Sequence, residues 1–361
     1  HAMAYHWRTA RDRGESLPLA IIIGPDLPTM ATGSASFPYG IDELAVAGGF
    51  MGAPIELVRC KTIPLEVPAN AEAIIECEMS TEMGEPRLTF GEYPGYMQSN
   101  IIPTPVVKVT AITYRNNAIF TPILVGMPPS DTSLVWGFAH AADHFHYLKY
   151  ECGYPVAEVY YPQLSGGDTF CLIRMAEGAT PDDGQTVADE LSRRRSIGKY
   201  AVVVDHDIDI RDSDTILWAL SFRTNRRRDF AFVPSGHVGL DPSGAPPGAR
   251  TNRSNDPADN DATRVVINAT RKWDYPPVGL PRKEYMDRAL QLWAEAKLPQ
   301  PQMHNPWYGY ELGYWTDEHR HHADLIVAGD YKQLGDEMEE FQAPLTEAQI
   351  GRNFDRSAAW L

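Results

Sequence analysis

Glu92 lies in the stretch Thr89-Phe90-Gly91-Glu92-Tyr93-Pro94-Gly95-Tyr96-Met97, with aromatic residues at 90, 93 and 96. A carboxyl group enclosed by aromatic rings loses hydration and its pKa rises. It can then hold a proton near neutral pH and deliver it as a general acid. The same glutamate could equally be a turn residue pointing into water. Glu43 opens the stretch Glu43-Leu44-Ala45-Val46-Ala47, which has helical character. The positive end of a helix favours a glutamate there without any ligand. Just upstream, Thr32, Gly33, Ser34, Ala35 and Ser36 form a run of small residues. In a loop, such residues let backbone N–H groups approach a phosphate. Lys199 precedes the apolar run 200–204, where it could neutralise a phosphate or simply face solvent.

Two further constellations suit metal chemistry. Asp205, Asp207 and Asp209 follow the run Tyr200-Ala201-Val202-Val203-Val204. At a period of two their carboxylates share one face, which could hold a hard cation or form a charged strand end in solvent. An EF-hand would need Gly at 210 and Glu at 216, where this chain has isoleucines. His140 and His144 stand four apart, the spacing of a helical zinc pair, but no third ligand has matching spacing. His319, His321 and His322 sit among Asp, Glu and Arg, as on a solvated helix face. The chain has no GxGxxG, no GxxxxGK[ST], no HExxH and no GxSxG. That argues against a Rossmann dehydrogenase, a P-loop NTPase, a zincin and an α/β-hydrolase.

The elements that must position these residues change character along the chain. Residues 6–15 read as the end of a helix stopped by Gly14, and 17–24 as a short buried strand. Residues 25–40 are small and Pro/Gly-rich and read as a loop; 42–52 read as a short helix ending in glycines. Residues 55–67 and 71–80 alternate apolar and polar in the manner of half-buried strands, with Ile75, Cys77 and Met79 on one face and Glu76 and Glu78 on the other. Residues 106–120 are again β-like, so the first third reads as mainly β with a helix near its start. Beyond Met127-Pro128-Pro129-Ser130, helical segments alternate with the strands 156–162, 169–175 and 200–205, the pattern of an α/β layer domain. Residues 239–262 read as a long loop, and 283–296 as an amphipathic helix with Met286, Leu290 and Trp293 at helical spacing.

Bulk properties agree with a globular protein of two domains. The 361 residues are 43% hydrophobic and 22% charged, with 32 Lys plus Arg against 48 Asp plus Glu, a net charge of −16. That charge argues against nucleic acid and against an anionic membrane surface as partners. The four cysteines, Cys60, Cys77, Cys152 and Cys171, show no CxxC pairing, which fits a reducing, cytoplasmic location. The longest apolar stretch is too short to span a bilayer and lacks the flanks of a signal peptide.

Taken in order, residues 17–24, 38–60, 67–80, 89–97, 109–120, 199–212 and 267–273 resemble the UbiD family of decarboxylases, which use prenylated FMN; the resemblance continues through 306–315. It implies a split β-barrel that binds the flavin, residues 1–126, followed by an α/β oligomerisation domain with C-terminal helices, residues 127–361. It implies reversible decarboxylation of an aromatic, heteroaromatic or α,β-unsaturated acid, with the flavin as electron sink and Glu92, in the FGE motif, as the proton donor. Glu43 matches the family glutamate that holds a divalent ion, usually Mn2+, on the flavin phosphate, with K+ nearby. His1 falls at about the position of the metal-binding histidine. Thr32, Gly33, Ser34, Ala35 and Ser36 match the loop beside the flavin, and Lys199 a lysine near the phosphate.

The implied partners are the small acid and CO2, a flavin prenyltransferase that supplies the cofactor, and further copies of the chain in a dimer or hexamer. Two departures stand out. Family members extend further at the N-terminus, where their metal-binding asparagine and catalytic arginine lie. The glutamate they commonly carry five residues before the acid is Arg87 here. Glu85 is close enough in sequence to substitute, and an altered proton network points to another substrate class, such as a phenolic acid. The alternative is a non-catalytic scaffold whose site is completed by another segment. Trp307, Tyr308, Tyr310, Tyr314 and Trp315 read as core or subunit-interface aromatics.

Overall fold

The structure is a computed structural model, which describes residues 2–35, 37, 40–85, 89–97, 103–194, 197–234, 240–243, 263–299 and 313–339. His1, Ser36, Arg87, Trp307, Tyr308 and Tyr310 lie outside the described residues, as does most of 239–262. The chain divides into two units, 1–272 and 273–361.

The first unit begins with helix α1 (Ala2–Asp12) and strand β1 (Leu17–Ile23). Residues 25–40, expected as a loop, instead contain helix α2 (Leu27–Ser34). Asp26 caps it, its Oδ1 accepting the Thr29 N–H at 2.8 Å. Pro28 stands in the first turn, where a missing N–H costs nothing. Helix α3 (Glu43–Met51) has the expected form, capped by Asp42 and ended by Gly52 at φ +69°. The stretch 55–67, expected as one strand, is a hairpin of β2 (Leu57–Arg59) and β3 (Glu66–Pro68).

Strands β4 (Ala73–Gly84) and β5 (Thr104–Tyr114) complete a sheet of order β1-β4-β5, antiparallel throughout. Leu17, Leu19 and Ile21 pair with Met79, Cys77 and Ile75, so the expected face of β4 meets apolar partners. β1 is a half-buried edge strand, not a buried one. Val109, Ile112 and Tyr114 of the other edge strand are exposed.

Helix α4 (Asp131–His146) opens at a reciprocal cap between Ser130 and Ser133 and runs into one wider turn at 147–151. There follow β6 (Val156–Tyr160), β7 (Phe170–Met175), α5 (Pro181–Arg193), β8 (Tyr200–Val204), α6 (Ser213–Phe222), β9 (Phe230–Pro234) and β10 (Thr263–Ala269). The sheet order is β6-β7-β8-β10-β9. β7, β8 and β10 are parallel, and β6 and β9 are antiparallel edges. The continuous apolar run of β8 fits a strand covered on both faces: Ala201 to Val204 are all buried. Ala201 and Val203 belong to a core that includes Leu148, Ile173, Val187 and Leu191.

The second unit contains α7 (Lys283–Glu295), α8 (Asp317–Ala328) and α9 (Tyr331–Glu339). His319, His321 and His322 lie on α8, and His321 Nε2 meets Glu337 of α9 at 2.9 Å. Among the described residues no helix is long and apolar enough to cross a membrane. The four cysteines are unpaired.

Candidate active site

Glu92 sits on a closed loop. Gly91 bridges to Met97, the Glu92 N–H donates to the Tyr96 carbonyl at 2.9 Å, and the Gly95 N–H donates to the Glu92 carbonyl at 2.9 Å. Partial burial pushes the Glu92 carboxyl above the usual carboxylate range, against an opposing hydrogen bond from the Tyr93 N–H. The direction is the one a proton donor needs, but the enclosure differs from the expected aromatic pocket. Phe90 and Tyr96 are more than half exposed, and Tyr93 alone of the three is buried, at 3%. The Tyr93 ring tilts against Trp136 of α4 with centroids 4.7 Å apart, and its hydroxyl donates to Asp168 at 3.0 Å. Glu85 is exposed just beyond the end of β4.

Glu43 is exposed in the first turn of α3. Thr32, Gly33 and Ser34 form the last turn of α2 rather than a loop, and Ala35 caps it. Thr32 is buried, its hydroxyl donating to the Pro28 carbonyl at 3.0 Å, and the Ser34 hydroxyl donates to Met30 at 3.0 Å. The amides of a final turn are spent inside the helix and its open end presents carbonyls, so the cradle expected of a loop is not what this backbone offers. Lys199 Nζ donates to Asp241 at 2.9 Å and to Ser243 at 2.7 Å. Burial works to raise the Asp241 pKa, but Lys199 and Ser243 outweigh it and hold the carboxyl low.

Helix α4 is where these parts converge. α2 packs against both α3 and α4. Phe50 of α3 lies 6.4 Å from Phe138 of α4, and Trp136 of α4 meets Tyr93. Asp241, the partner of Lys199, lies close enough to Tyr93 for its charge to be felt there. Among the described residues, no hydrogen bond or ion pair joins Glu43, Glu92 and Lys199 to one another. An open groove of about 540 Å3 runs beside α3, lined among others by Asp42, Leu44, Gly48, Gly49, Gly52 and Leu57. A Cβ added at Gly49 or Gly52 would meet nothing within 4 Å. Glu43 is not among the residues that line the groove; the carboxylate there is Asp42, the cap of α3.

The other constellations do different work. β8 ends at Val204, so the period of two breaks before the aspartates. Asp207 is buried and takes two hydrogen bonds from Arg223, at 2.7 and 2.6 Å. Asp205 takes a third at 2.7 Å, while Asp209 is exposed and accepts the Arg211 N–H. An arginine thus stands where a cation was considered, and two of the three carboxylates are removed from solvent. His140 and His144 do share a face of α4, but each uses Nδ1 on a backbone carbonyl, Gly167 and His140 respectively. Burial, with the charges of Arg194 and His140, lowers the His144 pKa to about 4, keeping it neutral. Among the described residues no group of three His, Cys, Asp or Glu could hold a metal.

Sequence reasoning passed over Asp168, Trp136 and Gly166, which surround Tyr93; Asp168 stands 75 positions from it. It also placed Glu76 on the polar face of β4, where Glu76 is in fact buried. Its carboxylate accepts the N–H groups of Lys61 and Thr62 at 2.7 and 2.6 Å and the Thr62 hydroxyl at 2.6 Å. Burial alone would raise its pKa, but these donors hold it low. The lone signal was a glutamate among apolar residues opposite a Lys-Thr turn.

Residues 1–128 match the 3-octaprenyl-4-hydroxybenzoate carboxy-lyase Rift-related domain, and residues 133–269 match the C-terminal domain of the same enzyme family. A phenolic acid decarboxylase of Bacillus subtilis (strain 168) is 28% identical over 300 residues, 81% of this chain and 61% of its own length. An evolved dimeric form of the UbiD-class enzyme HmfF from Pelotomaculum thermopropionicum, solved in complex with prFMN, superposes with a TM-score of 0.62 at 25% identity. The match covers 77% of this chain and 58% of that one. The apo 3,4-dihydroxybenzoic acid decarboxylase AroY of Klebsiella pneumoniae has a TM-score of 0.62 at 25% identity, over 80% of this chain and 62% of that one. The chain thus spans about three-fifths of the length of these relatives.

Proposed function

The chain belongs to the UbiD family, and from that premise we propose that it carries out reversible, non-oxidative decarboxylation of an aromatic, heteroaromatic or α,β-unsaturated carboxylic acid with prenylated FMN. The observation that carries this reading is Glu92: a half-buried carboxyl with a raised pKa, on a loop whose neighbour Tyr93 is locked in place. The names of the Bacillus and Klebsiella relatives favour a phenolic acid within that class.

Residues 1–126 then form the flavin-binding split barrel, and 127–361 the α/β oligomerisation domain, in a dimer or hexamer. Prenylated FMN, when bound, supplies the electron sink for the carbon that loses CO2. Glu92 does the proton chemistry. As the C–CO2 bond breaks, the carboxyl proton of Glu92 closes the new C–H bond, and the resulting carboxylate is reprotonated from solvent. In the carboxylation direction the same carboxylate takes that proton back. Glu43, with His1, would hold Mn2+ on the flavin phosphate, with K+ beside it, and the groove beside α3 has space for the ring. Glu85 replaces the family's second glutamate in orienting the acid, with Arg87 two positions on in the sequence. Lys199 would reach the phosphate by exchanging Asp241 for it.

The Lys199–Asp241 pair also favours a second reading, in which the chain is a scaffold whose site another segment completes. Native mass spectrometry of the protein, co-expressed with a flavin prenyltransferase and purified without oxygen, separates the two. An adduct of prenylated FMN and manganese supports the enzyme; a protein that assembles yet carries neither supports the scaffold.

A further inference from the structure

The loop that carries Glu92 is held at one point. Tyr93 leaves the loop and enters a slot in the α/β part of the first unit. The floor of the slot is Gly166, at φ +70°, where an added Cβ would lie 2.6 Å from Tyr93 Cδ2. Gly167 beside it is also left-handed, at φ +69°, and its Cβ would strike the Ser133 carbonyl at 2.1 Å. Both positions therefore demand glycine, for conformation and for space. One wall is Trp136. At the end of the slot the phenol donates to Asp168 Oδ2 at 3.0 Å, and Asp168 Oδ1 stands 3.6 Å from His140 Nδ1. His140 is in turn fixed at 3.0 Å on the Gly167 carbonyl.

This seat reaches the proposed acid through the backbone, because Tyr93 follows Glu92 directly in a loop that Glu92 itself closes, its N–H on the Tyr96 carbonyl and its carbonyl on the Gly95 N–H. Fixing the Tyr93 ring fixes the adjoining backbone, and that backbone sets where the Glu92 side chain projects. A loop closed only by its own backbone bonds would leave that direction to thermal motion, and a small misplacement of a reacting group is costly.

We propose that Tyr93 is a positioning residue for Glu92: seated on Gly166 and tied to Asp168, it aims the carboxyl at the reacting carbon. The proposal rests on the reading of Glu92 given above. It assigns a function to the Gly166-Gly167-Asp168 turn, which contributes no group to the chemistry itself.

The test uses the holoenzyme, loaded with prenylated FMN, and 3,4-dihydroxybenzoate as the probe acid. Tyr93→Phe keeps the ring in its slot and removes only the tie to Asp168. It should lower kcat about tenfold while KM stays within about twofold, as expected when a transition-state interaction is lost. Amide exchange across 89–97 should quicken at least fivefold, with the β8 peptides unchanged. Asp168→Asn, which retains an acceptor for the phenol, should lose less activity than Asp168→Ala. Unchanged exchange in 89–97 in Tyr93→Phe, or a kcat equal to that of the parent, overturns the proposal. Glu92→Gln separates the two ideas. If it is inactive while Tyr93→Phe is fully active, positioning fails and the acid stands. If it is fully active, the acid fails, and the exchange data alone decide whether Tyr93 holds the loop.

Discussion

Replacing Arg223 with methionine should be among the most damaging single changes in the first unit. The guanidinium is 3% exposed and faces the Asp207 side chain at 0% and that of Asp205 at 15%. It makes three hydrogen bonds of 2.6 to 2.7 Å to them, and its other face lies 5.0 Å from the Trp218 ring. Burial raises the Asp205 pKa even with Arg223 opposing it. Methionine keeps most of the volume but leaves two carboxylates without that counter-charge. Breaking such a buried pair costs about 3–5 kcal/mol. For a unit of this size that lowers the melting temperature by roughly 6–20 °C, which scanning calorimetry would read. The carboxylates left behind gain protons more readily, so the loss should shrink as pH falls from about 7 to 5, by at most about 1.4 kcal/mol per unit for each group. Adding Asp205→Asn and Asp207→Leu should restore most of the stability. A loss below about 1 kcal/mol, or one that does not change with pH, would refute the view that Arg223 neutralises these aspartates.

Further outcomes follow from other parts of the molecule. His144 is neutral and buried with its pKa lowered to about 4, against 6.5 when exposed, so the unfolded chain binds the extra proton first. Its contribution is complete above pH 6.5 and lost as pH falls towards 4, up to about 3 kcal/mol; urea titrations should show a flatter pH dependence in His144→Gln, and equal slopes would contradict this. The raised pKa of Glu92 and its role as an acid require kcat for decarboxylation to fall as pH rises through that pKa, because the carboxylate cannot donate; a kcat flat from about pH 5 to 8 counts against it. Glu43→Gln should lower the manganese content of the purified holoenzyme at least tenfold by plasma mass spectrometry, and an unchanged content would remove Glu43 from the metal site.

The elements most legible in the sequence were those whose periodicity is set by burial. Ile75, Cys77 and Met79 sit on one face of β4 because β1 lays Ile21, Leu19 and Leu17 against them. The apolar run at 200–205 reads as a short strand, and β8 is one, buried from Ala201 to Val204. Helix α2 was hidden because its residues are small and its proline reads as a breaker. The overlooked signal was Asp26 with Pro28, a cap followed by a proline in the first turn. Interactions between distant positions left no trace at all. Arg223 reaches Asp207 from 16 positions away, and nothing local distinguishes that aspartate from a cation ligand. Within the site, the direction of the Glu92 shift was legible but its cause was not: partial burial raises the pKa, while Phe90 and Tyr96, expected to enclose the carboxyl, are exposed. The seat of Tyr93 could not be read, because it depends on Gly166 and Asp168, brought to it by the packing of α4.

The central claim is that Glu92 donates the proton in a prenylated-FMN-dependent decarboxylation. The most direct test is CO2 release from 3,4-dihydroxybenzoate by Glu92→Gln, with cofactor content measured on the same sample. The account predicts full retention of the flavin and turnover reduced by at least about a hundredfold, the usual contribution of a general acid. Undiminished CO2 release with the flavin in place would contradict it.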